Sequence, residues 1–174
     1  MDGRQKLVKF QINHVSYGVD LNLVKEILVA WTIIPVSTLQ EDVSGVIFLR
    51  GEDIPVINMR HLFGMAEPEI HHTGQRIIII GMMNAVWKSF GFLVDSVCHV
   101  IEVKVKDLEA LNISDTETCP PFVKGKVTGR ILIDGDEKNG DEGVPSSVVW
   151  LDSDRIIEST MKGSRHLEPQ IPYL

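Results

Sequence analysis

The sequence predicts an all-β, barrel-like architecture with few and short helices. Apolar residues recur in about ten short runs, several with a two-residue alternation. Glycine, proline, asparagine and aspartate break the chain between those runs. Only a few stretches carry a helical period, and none is long.

Taken in order, Val8, Phe10 and Ile12 alternate with Lys9, Gln11 and Asn13, the pattern of a half-buried strand. Tyr17-Gly18-Val19 follows a turn as its hairpin partner. The period then changes. Asp20 suits a helix N-cap, and Leu21, Val24, Ile27 and Leu28 fall at helical spacing for about two turns. Strand-like runs resume at Thr32–Val36, Val43–Leu49, Ile54–Asn58, Arg76–Met82, Ser89–Val94 and Val97–Val103. Two more occupy Phe122–Ile133 and Ser147–Leu151. Val105–Leu111 suits a short helical turn. Asp152–Ser159 suits a closing helix capped by Asp152 or Ser153, with Ile156 and Ile157 facing inward. The segments Gly64–Gly74, with Pro68 and the pair His71-His72, and Asp134–Pro145, acidic and glycine-rich, read as loops. The second is expected to be mobile.

A chain of 174 residues, 44% of them hydrophobic, can bury a core without disulfides, as one domain or two small subdomains. Its formal charge of −7, from 24 acidic and 17 basic residues, lacks the basic footprint by which proteins neutralise phosphates, so nucleic acid is set aside. The two cysteines, Cys98 and Cys119, have no CxxC spacing and read as reduced packing residues. Met1–Leu7 holds no apolar signal region. The longest apolar run, around Ile77–Ile80, soon meets Asn84 and Lys88, short of the roughly 20 residues that span a bilayer. A soluble, cytoplasmic protein is the expectation.

The sequence holds no phosphate-cradling glycine motif, no nucleophile elbow and no HExxH. Asp134-x-Asp136 opens like a calcium loop, but Lys138, Asn139 and Pro145 occupy the positions that need an oxygen ligand, the turn glycine and the bidentate glutamate. His14, His61, His71, His72, His99 and His166 show no spacing suited to one metal. Asp95 with His99 is the sole nearby pair to nominate for acid–base work, and a strand rise puts them about 13 Å apart. A lone carboxylate at a strand end reads better as a turn or ion-pair member. No catalytic residue, metal or cofactor is expected.

Three blocks carry the positive information. They are Tyr17-Gly18-Val19-Asp20 leading into Val24-Lys25-Glu26-Ile27-Leu28; Gly45-Val46-Ile47-Phe48-Leu49-Arg50-Gly51 with Ile54-Pro55-Val56-Ile57-Asn58-Met59-Arg60; and Gly91-Phe92-Leu93-Val94-Asp95-Ser96-Val97. The second is a strand, a glycine turn and a strand, with Pro55 suiting a strand start or edge. It sets Arg50 at the turn, where its planar donor fork would be held for a carboxylate.

In order and spacing, over roughly Val8 to Glu158, these blocks resemble the CheW family of chemotaxis coupling proteins. Phe48 stands where the family has asparagine, and Asn58 where it has aspartate. The resemblance implies two packed five-stranded barrels of the Src-homology-3 type, with short helices. They would form a single domain over residues 1–162, followed by a tail over 163–174. It also implies a non-enzymatic adaptor that joins the cytoplasmic tip of a methyl-accepting chemoreceptor to the regulatory domain of a CheA-type histidine kinase. Such adaptors work in arrays beneath the inner membrane. By the same resemblance, Glu26, Arg50, Ile77, Ile78 and Gly91 fall in the receptor-facing groove, and Val8, Leu21 and Val24 on the kinase-facing patch. Read as residues alone, Leu21 and Val24 suit a core-facing pair, and Glu26 and Arg50 suit a structural bridge with each other or with Asp95. A non-flagellar chemosensory pathway, a module acting like part of a kinase regulatory domain, and a small β-barrel enzyme or ligand-binding barrel stay open as alternatives.

Overall fold

The computed structural model of the protein describes residues 3–29, 32–37, 40–68, 74–82, 88–109, 120–132 and 145–161. Its first half supplies strands β1 (Arg4–Ile12), β2 (Val15–Asp20), β3 (Val24–Val29), β4 (Val43–Leu49) and β5 (Glu52–Asn58), then helix α1 (Met59–Leu62). The rest supplies β6 (Arg76–Gly81), β7 (Ser89–Val94), β8 (Ser96–Lys104), β9 (Val123–Ile131), β10 (Pro145–Leu151) and helix α2 (Ser153–Met161).

Strands β1-β2-β10-β9-β8 form a closed barrel, antiparallel except where β2 and β10 run parallel. The other five form a sheet in the order β3-β6-β7-β5-β4, antiparallel except between β5 and β7. Beyond β3 the chain turns back onto the far edge of this sheet. There Ile34 and Val46 exchange two backbone hydrogen bonds of 2.8 and 2.9 Å, rolling the sheet towards closure. The β5–β7 pairing begins at Val56, one residue after Pro55.

Alternation along the strands sorts the apolar side chains into three cores. Leu7, Ile101, Val103, Val127, Val148 and Trp150 fill the closed barrel. Leu28, Ile47, Ile54, Val56, Ile77 and Ile79 fill the second sheet's concave side. The third core is the seam between the two, and it draws on both: Val8, Phe10 and Tyr17 from the barrel meet Ile78, Ile80, Phe90 and Phe92 from the sheet. Strand β6 shows why its sequence is an unbroken run of isoleucines. Ile77 and Ile79 point into the sheet's core and Ile78 and Ile80 into the seam, so both faces are buried. Within the seam Tyr17 stacks between Phe10 and Phe63, at centroid distances of 6.0 and 4.8 Å, and Phe63 meets Phe122 edge-on at 5.5 Å.

The strands expected at Val43–Leu49, Ile54–Asn58, Arg76–Met82, Ser89–Val94 and Val97–Val103 are present within a residue or two. Ile156 and Ile157 of α2 are buried, and the Asp152 carboxylate accepts from the Arg155 N–H at 3.2 Å as the expected cap. The two-turn helix after Asp20 is not. Only Leu21–Leu23 form a short 3-10 turn, and Val24–Val29 is strand β3, paired antiparallel with β6. The residues at helical spacing also fit a period of two once Leu28 alone points into the core and Ile27 and Val29 point out. Asp20 makes no cap; its carboxylate binds Lys124 at 3.2 Å and the Trp150 indole N–H at 3.4 Å. The run Thr32–Val36 contributes a single bridge residue, Ile34, in place of a strand. Val105–Leu111 keeps only a 3-10 turn over Val105–Asp107, and its end lies outside the described residues. The same holds for His71-His72, Cys119, the acidic segment over 134–144 and residues 163–174.

Candidate interaction site

Strands β4 and β5 are joined by the two-residue turn Arg50-Gly51, flanked by the pair Leu49 and Glu52. Both turn residues have positive φ, 49° at Arg50 and 81° at Gly51, as a type I′ hairpin demands. Glycine enters that region without penalty; arginine does so at a cost on the order of 1 kcal/mol. The β1–β2 hairpin has the same kind of turn, and there the first position is Asn13, φ 48°, a residue that tolerates it well. The backbone gives no reason for arginine at position 50. The reason lies in the side chain.

That side chain reaches back across the second sheet. β3 and β4 are its two edge strands, and the Arg50 guanidinium donates to the Glu26 carboxylate on β3 at 2.6 Å, closing the two edges with a clasp. Arg50 is 76% exposed and Glu26 26% exposed, so the pair stands at the surface with donors of the fork still facing out. An ion pair this exposed contributes little to stability. It holds the fork in one place.

Exposed apolar residues concentrate on the two edge strands and the segment between them. Of the large hydrophobic residues exposed among those described, Ile27, Val29, Ile34, Val36 and Phe48 all fall on β3, β4 or the segment between them, against Val15, Val105 and Leu132 elsewhere. Phe48 is 61% exposed, two residues from Arg50 on β4. Arginine and aromatic side chains are the types enriched in protein-binding hot spots.

The structure separates the remaining expected contact residues from this surface. Ile77 and Ile78 are 2% and 0% exposed, each in a core, because both faces of β6 are covered. Gly91 is buried beside Ile77; a β-carbon there would lie 2.7 Å from Ile77 Cγ2 and 3.2 Å from Val56 Cγ2. Val8 is 2% exposed in the seam. The side chains of Val8, Ile77 and Ile78 are thus buried, and Gly91 is enclosed. Leu21 and Val24 are half-buried against the seam, where the chain crosses from the barrel to the sheet. Glu26 and Arg50 are brought together as the sequence allowed. Phe48 and Ile34 were missed as surface residues, although the alternation of β4 puts Phe48 on the outer face with Val46.

Asp95 is an ion-pair member. Arg60 forks onto it with Nε to Oδ1 at 2.7 Å and a terminal nitrogen to Oδ2 at 2.6 Å. That hydrogen bond raises the Arg60 guanidinium above its ordinary value, against a smaller opposing effect of burial. Among the described residues no group of three or more His, Cys, Asp or Glu side chains is placed to hold a metal, and no helix is long and apolar enough to cross a membrane.

A closed five-stranded barrel and a second five-stranded sheet, packed across a shared apolar seam, define a two-unit β fold with the Arg50–Glu26 clasp at the surface of its second unit. Residues 6–161 match the family model described as the CheW-like domain, and the chain belongs to that family, whose members are non-enzymatic scaffold and adaptor proteins of chemotaxis. It is 28% identical to the chemotaxis protein CheW of Treponema pallidum over 109 residues, 63% of this chain and 64% of that one. To the Thermotoga maritima chemotaxis protein CheW it is 29% identical over 153 residues, covering 88% of this chain and 87% of the relative. The scaffolding protein TtCheW from Thermoanaerobacter tengcongensis superimposes with a TM-score of 0.64 at 25% identity, over 84% of this chain and 88% of that structure.

Proposed function

We propose that this adaptor couples the cytoplasmic tip of a methyl-accepting chemoreceptor to the regulatory domain of a CheA-type histidine kinase, in the cytoplasm at membrane-associated receptor arrays. The observation that carries the reading is Arg50. It occupies a left-handed turn position that its backbone disfavours, and its fork is 76% exposed while pinned by Glu26. Strain kept at a surface residue points to use of the side chain. A receptor tip is helical, and an apolar surface with a fixed polar anchor is a familiar way to hold a helix.

In this reading Glu26 and Arg50 meet the receptor, and exposed Phe48 and Ile34 add apolar contact. Ile77, Ile78 and Gly91 keep the sheet beneath them in shape. Leu21 and Val24 serve the kinase at the crossing between the two units, with Val8 packed underneath. Residues 1–162 work as one unit because the seam draws from both halves. Each interface should be small, below about 1,200 Å², and the strength of the assembly should come from repetition.

Titration of the protein against a receptor-tip fragment and, separately, against the kinase regulatory domain tests this. Saturable binding to both is expected, with Arg50→Glu weakening only the receptor titration because the new carboxylate repels Glu26 and removes the fork. Receptor binding unchanged by Arg50→Glu at an unchanged melting temperature would remove Arg50 from the site.

A further inference from the structure

Among the described strands the chain crosses between the two β units at two places, and at one of them the connection is a single residue. β7 of the sheet ends at Val94 and β8 of the barrel begins at Ser96; Asp95 is all that lies between. Both units hold it. From the sheet side, Arg60 in α1, directly after β5, makes the two-pronged pair already described, and its own fork is steadied by a 3.0 Å bond to the Ala66 carbonyl. From the barrel side, the Asn13 N–H in the β1–β2 turn donates to Asp95 Oδ2 at 2.7 Å. The Asp95 N–H in turn donates to the Gln11 carbonyl of β1 at 3.1 Å. The Arg60 and Asp95 side chains are 11% and 17% exposed, sheltered enough for these bonds to be stronger than surface pairs.

We infer that Asp95 is a positioning residue: with Arg60 and the Asn13 turn it fixes the orientation of the second sheet relative to the barrel. The seam supplies most of the attraction between the units, but apolar contact is non-directional. Cores repacked with other hydrophobic residues lose uniqueness of structure before they lose stability. A planar guanidinium on a carboxylate, tied to a backbone N–H of the opposite unit, is directional in a way that the seam is not. In this protein the sheltered ion pair selects one arrangement among those the seam tolerates. The inference stands independently of which partners the adaptor joins.

The test is a distance measurement between the units. Spin labels are placed at Lys126→Cys on β9 and Glu52→Cys at the start of β5, both exposed positions, in a background with Cys98 and Cys119 replaced by serine. Electron–electron resonance should give a single narrow distance distribution for the otherwise natural chain. Asp95→Asn, which keeps an acceptor for the Asn13 N–H and loses the ion pair, should broaden it or add a second distance. Arg60→Lys should give an intermediate width, since it keeps the charge and loses the fork. A merely stabilising role would lower the melting temperature and leave the distribution alone; that result in folded Asp95→Asn overturns the inference. If Asp95→Asn does not fold, Arg60→Gln takes its place, and an unchanged distribution there counts equally against it.

Discussion

Phe92→Ala is expected to destabilise both β units together, by about 3–5 kcal/mol. Phe92 lies on β7, in the second sheet, and is fully buried in the seam with Phe10, Tyr17 and Ile12 of the barrel. Removing its ring leaves a cavity bordered by side chains from both units, which neither can fill alone. The loss therefore belongs to the interface between them. Trp150, 4% exposed inside the closed barrel, reports on the unit that does not contain the mutation. With Trp31 and Trp87 changed to phenylalanine, urea unfolding followed by Trp150 fluorescence and by far-ultraviolet dichroism should give coincident transitions, both shifted to lower urea by Phe92→Ala. A Trp150 transition that stays put while half of the dichroism signal is lost earlier would show two independently unfolding units, and the shared seam would then not bind them into one.

Arg50→Asn separates stability from function. Asparagine adopts φ near +50° with little strain, so the turn should gain about 0.5–1 kcal/mol. The same change removes the pair with Glu26, worth at most about 1 kcal/mol at this exposure. The two nearly cancel, and the melting temperature should stay level or rise slightly. Affinity for the receptor tip should fall at least about tenfold, because a central arginine anchor typically carries more than 1 kcal/mol of an interface. Measured together, a neutral or raised melting temperature with lost binding marks a residue kept for docking at the expense of its backbone. A melting temperature lowered by several degrees with binding intact would make Arg50 a structural clasp and nothing more.

The parts of the fold read from sequence are those where burial leaves a period. β1 alternates, β6 is an isoleucine run buried on both faces, and α2 hides Ile156 and Ile157; each pattern is local and was legible. The stretch after Asp20 failed because Leu21, Val24, Ile27 and Leu28 satisfy two periods at once, and the antiparallel partner β6, about fifty residues away, decides between them. The same non-local pairing explains the site. The motif around Arg50 could be read, and so could its possible pairing with Glu26, but the exposure of the pair could not. The family resemblance places Ile77, Ile78 and Gly91 at a groove; their burial in the packed sheet is not visible in the local sequence. Asp95 was legible as a strand-end ion-pair member; that it sits between the two units depends on which sheet each neighbouring strand joins, a property no local pattern records.

One copy of the protein is expected to hold a receptor tip and a kinase regulatory domain at the same time through separate faces. Size-exclusion chromatography with light scattering on the three purified components tests it most directly. A single complex with the mass of all three is expected, reduced to protein and kinase domain alone when Arg50→Glu is used. Displacement of one partner by the other, with no ternary species at any ratio, would contradict it.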